Sequence, residues 1–107
     1  MDHTDRLRRL AINDARLGDE CVYGGSLGPR ELDPKSVALV RLGALVAVGG
    51  EAASYGEHAD AAVEAGATAP EIVDVLISVV PLVGLPKVVA AAPRLAIALG
   101  YDIEAAL

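Results

Sequence analysis

Three polar side chains near the middle of the sequence have the types and the spacing for proton-transfer chemistry. Glu51, Ser54 and His58 stand at positions i, i+3 and i+7, which a helix brings to one face. A carboxylate, a hydroxyl and an imidazole on one stripe support general acid–base catalysis. We predict His58 and Glu51 as the catalytic pair, with Ser54 and Tyr55, at the edge of the same face, as substrate contacts.

Each of these side chains also has a purely structural interpretation. The Ser54 hydroxyl could bond back to the carbonyl four residues earlier, as serine in helices often does. His58 could be a structural histidine that is held by hydrogen bonds. Glu51 could stabilise the start of a helix through the helix dipole. The spacing alone leaves both interpretations open.

Arg41 is the single charge in the apolar run of residues 37–50. A guanidinium among apolar residues needs an anionic partner or access to water. One interpretation is therefore a clamp for a substrate carboxylate. The other is an ion pair, buried or between subunits, with Glu51, Glu57 or Glu64, because buried charges are normally paired.

The cysteine and histidine content excludes several kinds of site. Cys21 is the single cysteine, so the chain has no internal disulfide framework and no multi-cysteine metal site. Cys21 also lacks the resolving partner that thiol redox chemistry uses. His3 and His58 are the two histidines, and no metal-ligand spacing surrounds them. We therefore predict no metal site.

The composition describes a short chain that is both acidic and apolar. Its 107 residues carry a net charge of −6, which argues against binding to nucleic acid or to anionic membranes. Arg41, Asp74 and Pro93-Arg94 interrupt the three apolar runs, so none could span a membrane, and we expect a cytoplasmic protein. The mean hydropathy of +0.43 would leave large apolar patches on a monomer this small. We therefore predict a homo-oligomer.

Glycine, proline and capping residues divide the sequence into helical segments. Asp33-Pro34 has the pattern of an N-cap followed by proline in the first helical position. Thr68 and Glu71 have the spacing of a capping box, while Thr4 is a further candidate N-cap. The predicted helices span about residues 4–17, 34–48, 51–65, 69–80 and 86–99, with Asp102 capping a short last turn.

The same patterns predict the fold class. Alanine is abundant and aromatic residues make up only 3% of the chain, which favours close-packed helices around an aliphatic core. We predict an all-α compact bundle of five to six helices that forms a single domain over residues 1–107. Within it, residues 1–31 hold the first helix and a glycine-rich loop, and residues 32–100 hold the core.

Four short segments along residues 32–99 carry a family resemblance when they are taken in order. They are Leu32-Asp33-Pro34-Lys35 before the helix of Arg41, the glycine-rich break before Glu51–His58, the step Ala62-Val63-Glu64-Ala65-Gly66-Ala67-Thr68-Ala69-Pro70-Glu71-Ile72, and Gly84-Leu85-Pro86. The third segment is the most specific. Together they resemble the carboxymuconolactone decarboxylase family, which belongs to the alkylhydroperoxidase D-like superfamily.

The resemblance distinguishes between two branches of this superfamily. Its peroxidase members carry the pattern Cys-x-x-Cys-x-x-x-His, whose histidine corresponds to His58, but Glu51 and Ser54 stand at the two cysteine positions. Thiol-dependent peroxide reduction at this site is therefore excluded. The chain resembles the thiol-free decarboxylase branch, although Leu82-Val83 replaces the aromatic residue usual before the Gly-x-Pro turn.

The resemblance implies an alkylhydroperoxidase D-like protomer that assembles as a trimer or hexamer. It also implies cofactor-free decarboxylation of a small carboxylated lactone in aromatic catabolism, which is a carbon–carbon lyase reaction. Arg41 would orient the carboxylate, and His58 or Glu51 would deliver a proton to carbon. The alternative is a non-catalytic oligomeric module of the same fold that binds a small molecule or serves as a scaffold.

Overall fold

A computed structural model of the chain describes residues 2–14 and 31–101. These residues form α1 (His3–Ala11), α2 (Pro34–Val48), α3 (Ala52–Glu64), α4 (Ala69–Val83) and α5 (Leu85–Ala98). The described ranges contain no strand, so the predicted all-α fold class is confirmed. The chain divides into two compact units, Met1–Glu31 and Leu32–Leu107.

The first unit contains α1, which begins earlier and ends sooner than the sequence predicted. Asp2 caps the helix by accepting a hydrogen bond from the Asp5 N–H at 2.9 Å. Thr4 is therefore not the N-cap, and its hydroxyl instead donates to Asp2 at 2.7 Å. Asn13, with a φ of 54°, adopts the left-handed conformation just after the helix ends. Cys21, the glycine-rich loop and the predicted last turn at Asp102 lie outside the described residues.

The second unit begins with α2, whose predicted start is confirmed. The Asp33 carboxylate accepts a hydrogen bond from the Ser36 N–H at 2.6 Å, and Pro34 occupies the first helical position. That position suits proline because its missing N–H would have had no partner within the helix. Gly49, with a φ of 82°, then ends the helix.

The helices α4 and α5 both continue through a proline. The predicted end of α4 near Pro81 was wrong, because the helix extends to Val83 and ends at Gly84, which has a φ of 88°. Proline removes only its own N–H from the ladder, and the Gly84 N–H still donates to the Val80 carbonyl at 2.9 Å. Pro93 lies inside α5 in the same way, and both proline rings are exposed to solvent.

The core of the second unit is formed by α2 and α4 packed with α3 and α5. It is almost entirely aliphatic, as the composition predicted. Its largest fully buried side chains are Tyr55, Leu42 and Ile72. Ala59, Ala62 and Ala91 fill much of the remainder, and small side chains of this kind let helix axes approach closely. None of the helices in the described part of the chain combines the length and apolarity needed to cross a membrane.

Large apolar side chains also remain on the surface of this unit. Val48 and Leu82 are 79% and 89% exposed, and α5 presents an outward row four residues apart. That row consists of Leu85, Val89, Pro93 and Ile97. A single exposed apolar residue is ordinary, but rows on several helices amount to an unpartnered apolar surface.

Candidate functional site

Two successive glycines determine where α3 begins. Gly49 has a φ of 82°, a conformation that residues with a side chain rarely adopt. A Cβ atom added to Gly50 would lie 2.7 Å from Cδ1 of Leu45, so the chain packs there against the preceding helix. The backbone thus leaves α2 at a sharp break and enters α3 at Ala52, with Glu51 as the N-cap.

The predicted polar face lies along the first two turns of α3. The Glu51 side chain is exposed and makes no capping hydrogen bond, while Ser54 and His58 are half-buried. None of the three side chains forms a hydrogen bond or ion pair with the described residues. The interpretation of Ser54 as bonded back to the Gly50 carbonyl was wrong, because the described residues show no such hydrogen bond, and that oxygen accepts one from Arg94. The Glu51 side chain is therefore open to solvent, and the Ser54 and His58 side chains are partly so.

Tyr55 lies in the core rather than on the open edge of this face. Its side chain is 1% exposed, because position 55 turns toward the buried residues of α3. Burial raises the pKa of the Tyr55 phenol above its ordinary value of 10.0, and the positive charge of Arg94 opposes that shift. The phenol is therefore neutral at physiological pH, and it contributes a wall to a small cavity described below.

Arg41 is exposed on α2. The neighbouring Leu42 is 2% exposed, and a step of one residue in a helix turns the side chain by about 100°. Arg41 forms no ion pair with Glu51, Glu57 or Glu64 in the part of the chain that the structure describes. Within one chain, the predicted intramolecular ion pair is therefore wrong, and the guanidinium is available to an external anion.

Two cations that the sequence analysis overlooked lie close to the start of α3. Lys87 donates a hydrogen bond from Nζ to the Ala47 carbonyl at 2.8 Å, and Arg94 donates from Nη1 to the Gly50 carbonyl at 2.8 Å. The first of these carbonyl groups comes just before the glycine break between α2 and α3, and the second belongs to the break. The sequence did hold a signal, because these are the two charged residues of α5 and their separation of seven places them on one helical face.

A small cavity of about 80 Å³ lies beside these cations. It is bounded by the end of α2, by the first turn of α3 and by α5. The lining residues are Val46, Gly49, Tyr55, Lys87, Ala90, Ala91 and Arg94. Among the predicted site residues, only Tyr55 belongs to this lining.

A larger groove of about 580 Å³ runs between α2 and α4. Its walls are mostly apolar, with Gly43 allowing close approach to Val79, and two carboxylates, Glu71 and Asp74, stand at its edge. Neither this groove nor the small cavity is lined by Arg41 or His58. Among the described residues, no three potential metal-ligating side chains come together.

Comparison with known proteins identifies the family to which this architecture corresponds. A sequence model of the carboxymuconolactone decarboxylase family matches residues 15–96, which cover most of the chain and all of the polar face on α3. Searches among curated proteins and among solved structures gave no match. The suspected family is therefore confirmed.

Proposed function

The chain belongs to the carboxymuconolactone decarboxylase family, and from this premise we propose that it is a cytoplasmic carbon–carbon lyase. Its substrate is a small carboxylated lactone, which it decarboxylates without a cofactor. The observation that carries the proposal is the open polar face of α3. There Glu51, Ser54 and His58 share one stripe and have no partner among the described residues.

The reaction needs little besides an anion clamp and a proton donor. The bond between the ring carbon and the carboxylate carbon breaks, carbon dioxide leaves, and the bonding electrons pass into the lactone carbonyl as an enolate. Protonated His58, or the acid form of Glu51, then donates a proton to the ring carbon and regains one from water. Arg41 orients the carboxylate, and Ser54 completes the substrate contacts.

A histidine pair provides the experiment that tests this proposal. The His58→Ala and His3→Ala variants remove the two histidines of the chain one at a time, and carbon dioxide release from carboxymuconolactone measures turnover. We expect His58→Ala to lower kcat/KM by about 10²–10⁴-fold, the range for a lost general acid. His3→Ala should match the wild type. Both variants should keep the wild-type circular dichroism and melting temperature, and turnover retained by a folded His58→Ala protein would refute the assignment.

We propose further that the working form is a homo-oligomer, most simply a trimer or hexamer. The support is the apolar surface of the second unit, including Val48 on α2 and Leu82 on α4. Burying such surfaces against other copies removes apolar area from water, which stabilises the assembly by about 25 cal/mol for each Å² buried. Sedimentation equilibrium would test the assembly. Leu82→Glu should shift it toward monomers, whereas the same change at the exposed but polar Asp60 should not.

One observation favours a second candidate function, that of a non-catalytic binding or scaffold module. Arg41 and His58 line neither of the two cavities described above, so neither of these cavities joins the clamp to the proton donor. For such a module, replacing Ser54 and His58 together by alanine would leave both assembly and ligand binding unchanged. The lyase proposal predicts that the same double variant assembles normally and loses turnover.

A further inference from the structure

The small cavity at the break between α2 and α3 has an unusual charge for this protein. The chain as a whole is acidic, with a net charge of −6. Lys87 and Arg94 nevertheless line the same cavity of about 80 Å³, and neither forms an ion pair with a carboxylate of the described residues. Two cations that share one cavity without a counter-ion create a local field that attracts an anion.

The hydrogen bonds already made by these cations leave most of their donors unused. Lys87 has three ammonium protons and Arg94 has five guanidinium N–H groups, and one donor of each is engaged with a backbone carbonyl. Those two contacts also restrain the long side chains, so less side-chain conformational entropy is lost when a ligand binds. The cations are thus positioned before an anion arrives.

The remaining walls favour an organic anion of small size. Val46, Ala90 and Ala91 are apolar, and Tyr55 contributes an aromatic ring. Apolar walls weaken dielectric screening, so charges within the cavity interact more strongly than they would in water. The cavity holds about two to three water volumes, which suits a carboxylate group with a short aliphatic substituent.

We propose that this cavity binds the carboxylate group of a small aliphatic acid, with Arg94 and Lys87 as its ligands. Arg94 presents the planar fork that matches a carboxylate, and Lys87 contributes a second charge from the same face of α5, about two turns earlier. The site differs from the predicted clamp at Arg41, which lies on the exposed side of α2 and outside the cavity. It does not depend on the lyase proposal, because binding requires no turnover.

The test is a titration of the full chain with sodium acetate, followed through the backbone amide signals of Gly49 and Gly50 by nuclear magnetic resonance. Sodium chloride holds the ionic strength constant, and acetamide serves as a neutral molecule of the same shape. We expect saturable shifts with acetate alone. Equal shifts with acetamide, or no saturation beyond the effect of chloride, would overturn the proposal.

Three variants that each remove one positive charge test whether the acetate signal depends on Lys87 and Arg94. Arg94→Gln and Lys87→Gln should each weaken acetate binding about tenfold or more, as expected for a lost hydrogen bond to a charged group. Lys35→Gln removes the same charge near the opposite end of α2, about 20 Å away, and should leave binding unchanged. Unchanged binding in both cavity variants would refute the assignment. Lys87 is exposed, so its variant keeps the test valid if Arg94→Gln fails to fold.

Discussion

The starts of α3 and α4 share one layout but use their polar residues differently. Each helix has a fully buried side chain at its fourth position, Tyr55 in α3 and Ile72 in α4. At α4, the Thr68 hydroxyl accepts a hydrogen bond from the Glu71 N–H at 3.2 Å, and Glu71 accepts from the Thr68 N–H at 2.9 Å. At α3, the N-cap residue Glu51 makes no such bond.

The difference separates groups that hold the fold from groups that are available for ligands. Both oxygens of the Glu71 carboxylate accept a hydrogen bond, since Lys35 also donates to it at 3.0 Å. Glu51, Ser54 and His58 form no comparable contacts with the described residues. The fold therefore gains little from the polar residues of the α3 start, which is consistent with the proposal that they contact a substrate.

The largest expected effect concerns Tyr55 and Ile72, the buried side chains that anchor the starts of α3 and α4. We expect Tyr55→Ala and Ile72→Ala to lower the free energy of unfolding by about 3–5 and 2–5 kcal/mol respectively, because each leaves a cavity in the core. Both side chains are at most 1% exposed. Urea denaturation measures the change, with Val63→Ala on the exposed face of α3 as a control. A small loss at one anchor would break the parallel between the two starts.

The next effect concerns the caps, where the two starts should differ. Thr68→Ala removes the side chain that accepts the Glu71 N–H and should cost about 1 kcal/mol. Glu51→Ala removes a side chain without a capping bond and should change stability by less than about 0.5 kcal/mol. Denaturation of the two variants side by side tests the contrast. An equal cost at both positions would show that Glu51 stabilises the fold.

The smallest effect is a pH dependence at the α4 start. Hydrogen bonds from the Thr68 N–H and from Lys35 lower the pKa of Glu71 below its ordinary value of 4.5. A lowered folded-state pKa means that the charged form stabilises the fold above pH 4.5, and that this contribution is lost as the pH falls through the folded value.

Melting temperatures between pH 7 and pH 3 check this dependence. We expect Glu71→Gln to melt below the wild type at pH 7, with the difference shrinking as the pH falls toward 3. Glu64→Gln, at an exposed position of α3 without described partners, should follow the wild-type curve throughout. A constant gap between Glu71→Gln and the wild type would contradict the assigned origin of the shift.

The sequence allowed the helix starts of the second unit to be predicted because their signals are local. Asp33 bonds to an N–H three residues away, and Thr68 and Glu71 satisfy each other over the same distance. Geometry of this kind depends on the residues themselves and requires no knowledge of the packing.

Contacts between distant segments escaped prediction. Lys87 and Arg94 bond to carbonyl groups 40 and 44 residues earlier in the chain, and no local pattern fixes which helix ends meet. The exposure of Arg41 likewise depends on which side of α2 faces the core. The continuation of α4 through Pro81 was missed because one absent N–H does not outweigh the bonds and packing on either side of it.

A crystal structure of the assembled protein with a bound carboxylated lactone would show whether the start of α3 serves a ligand rather than the fold. We predict that the lactone lies against Glu51, Ser54 and His58, with Arg41 of the same or a neighbouring copy within hydrogen-bond distance of its carboxylate. If Arg41 and Glu51 instead pair in a dry interface and no space remains beside His58, the ligand role of the α3 start is contradicted. These residues would then serve assembly.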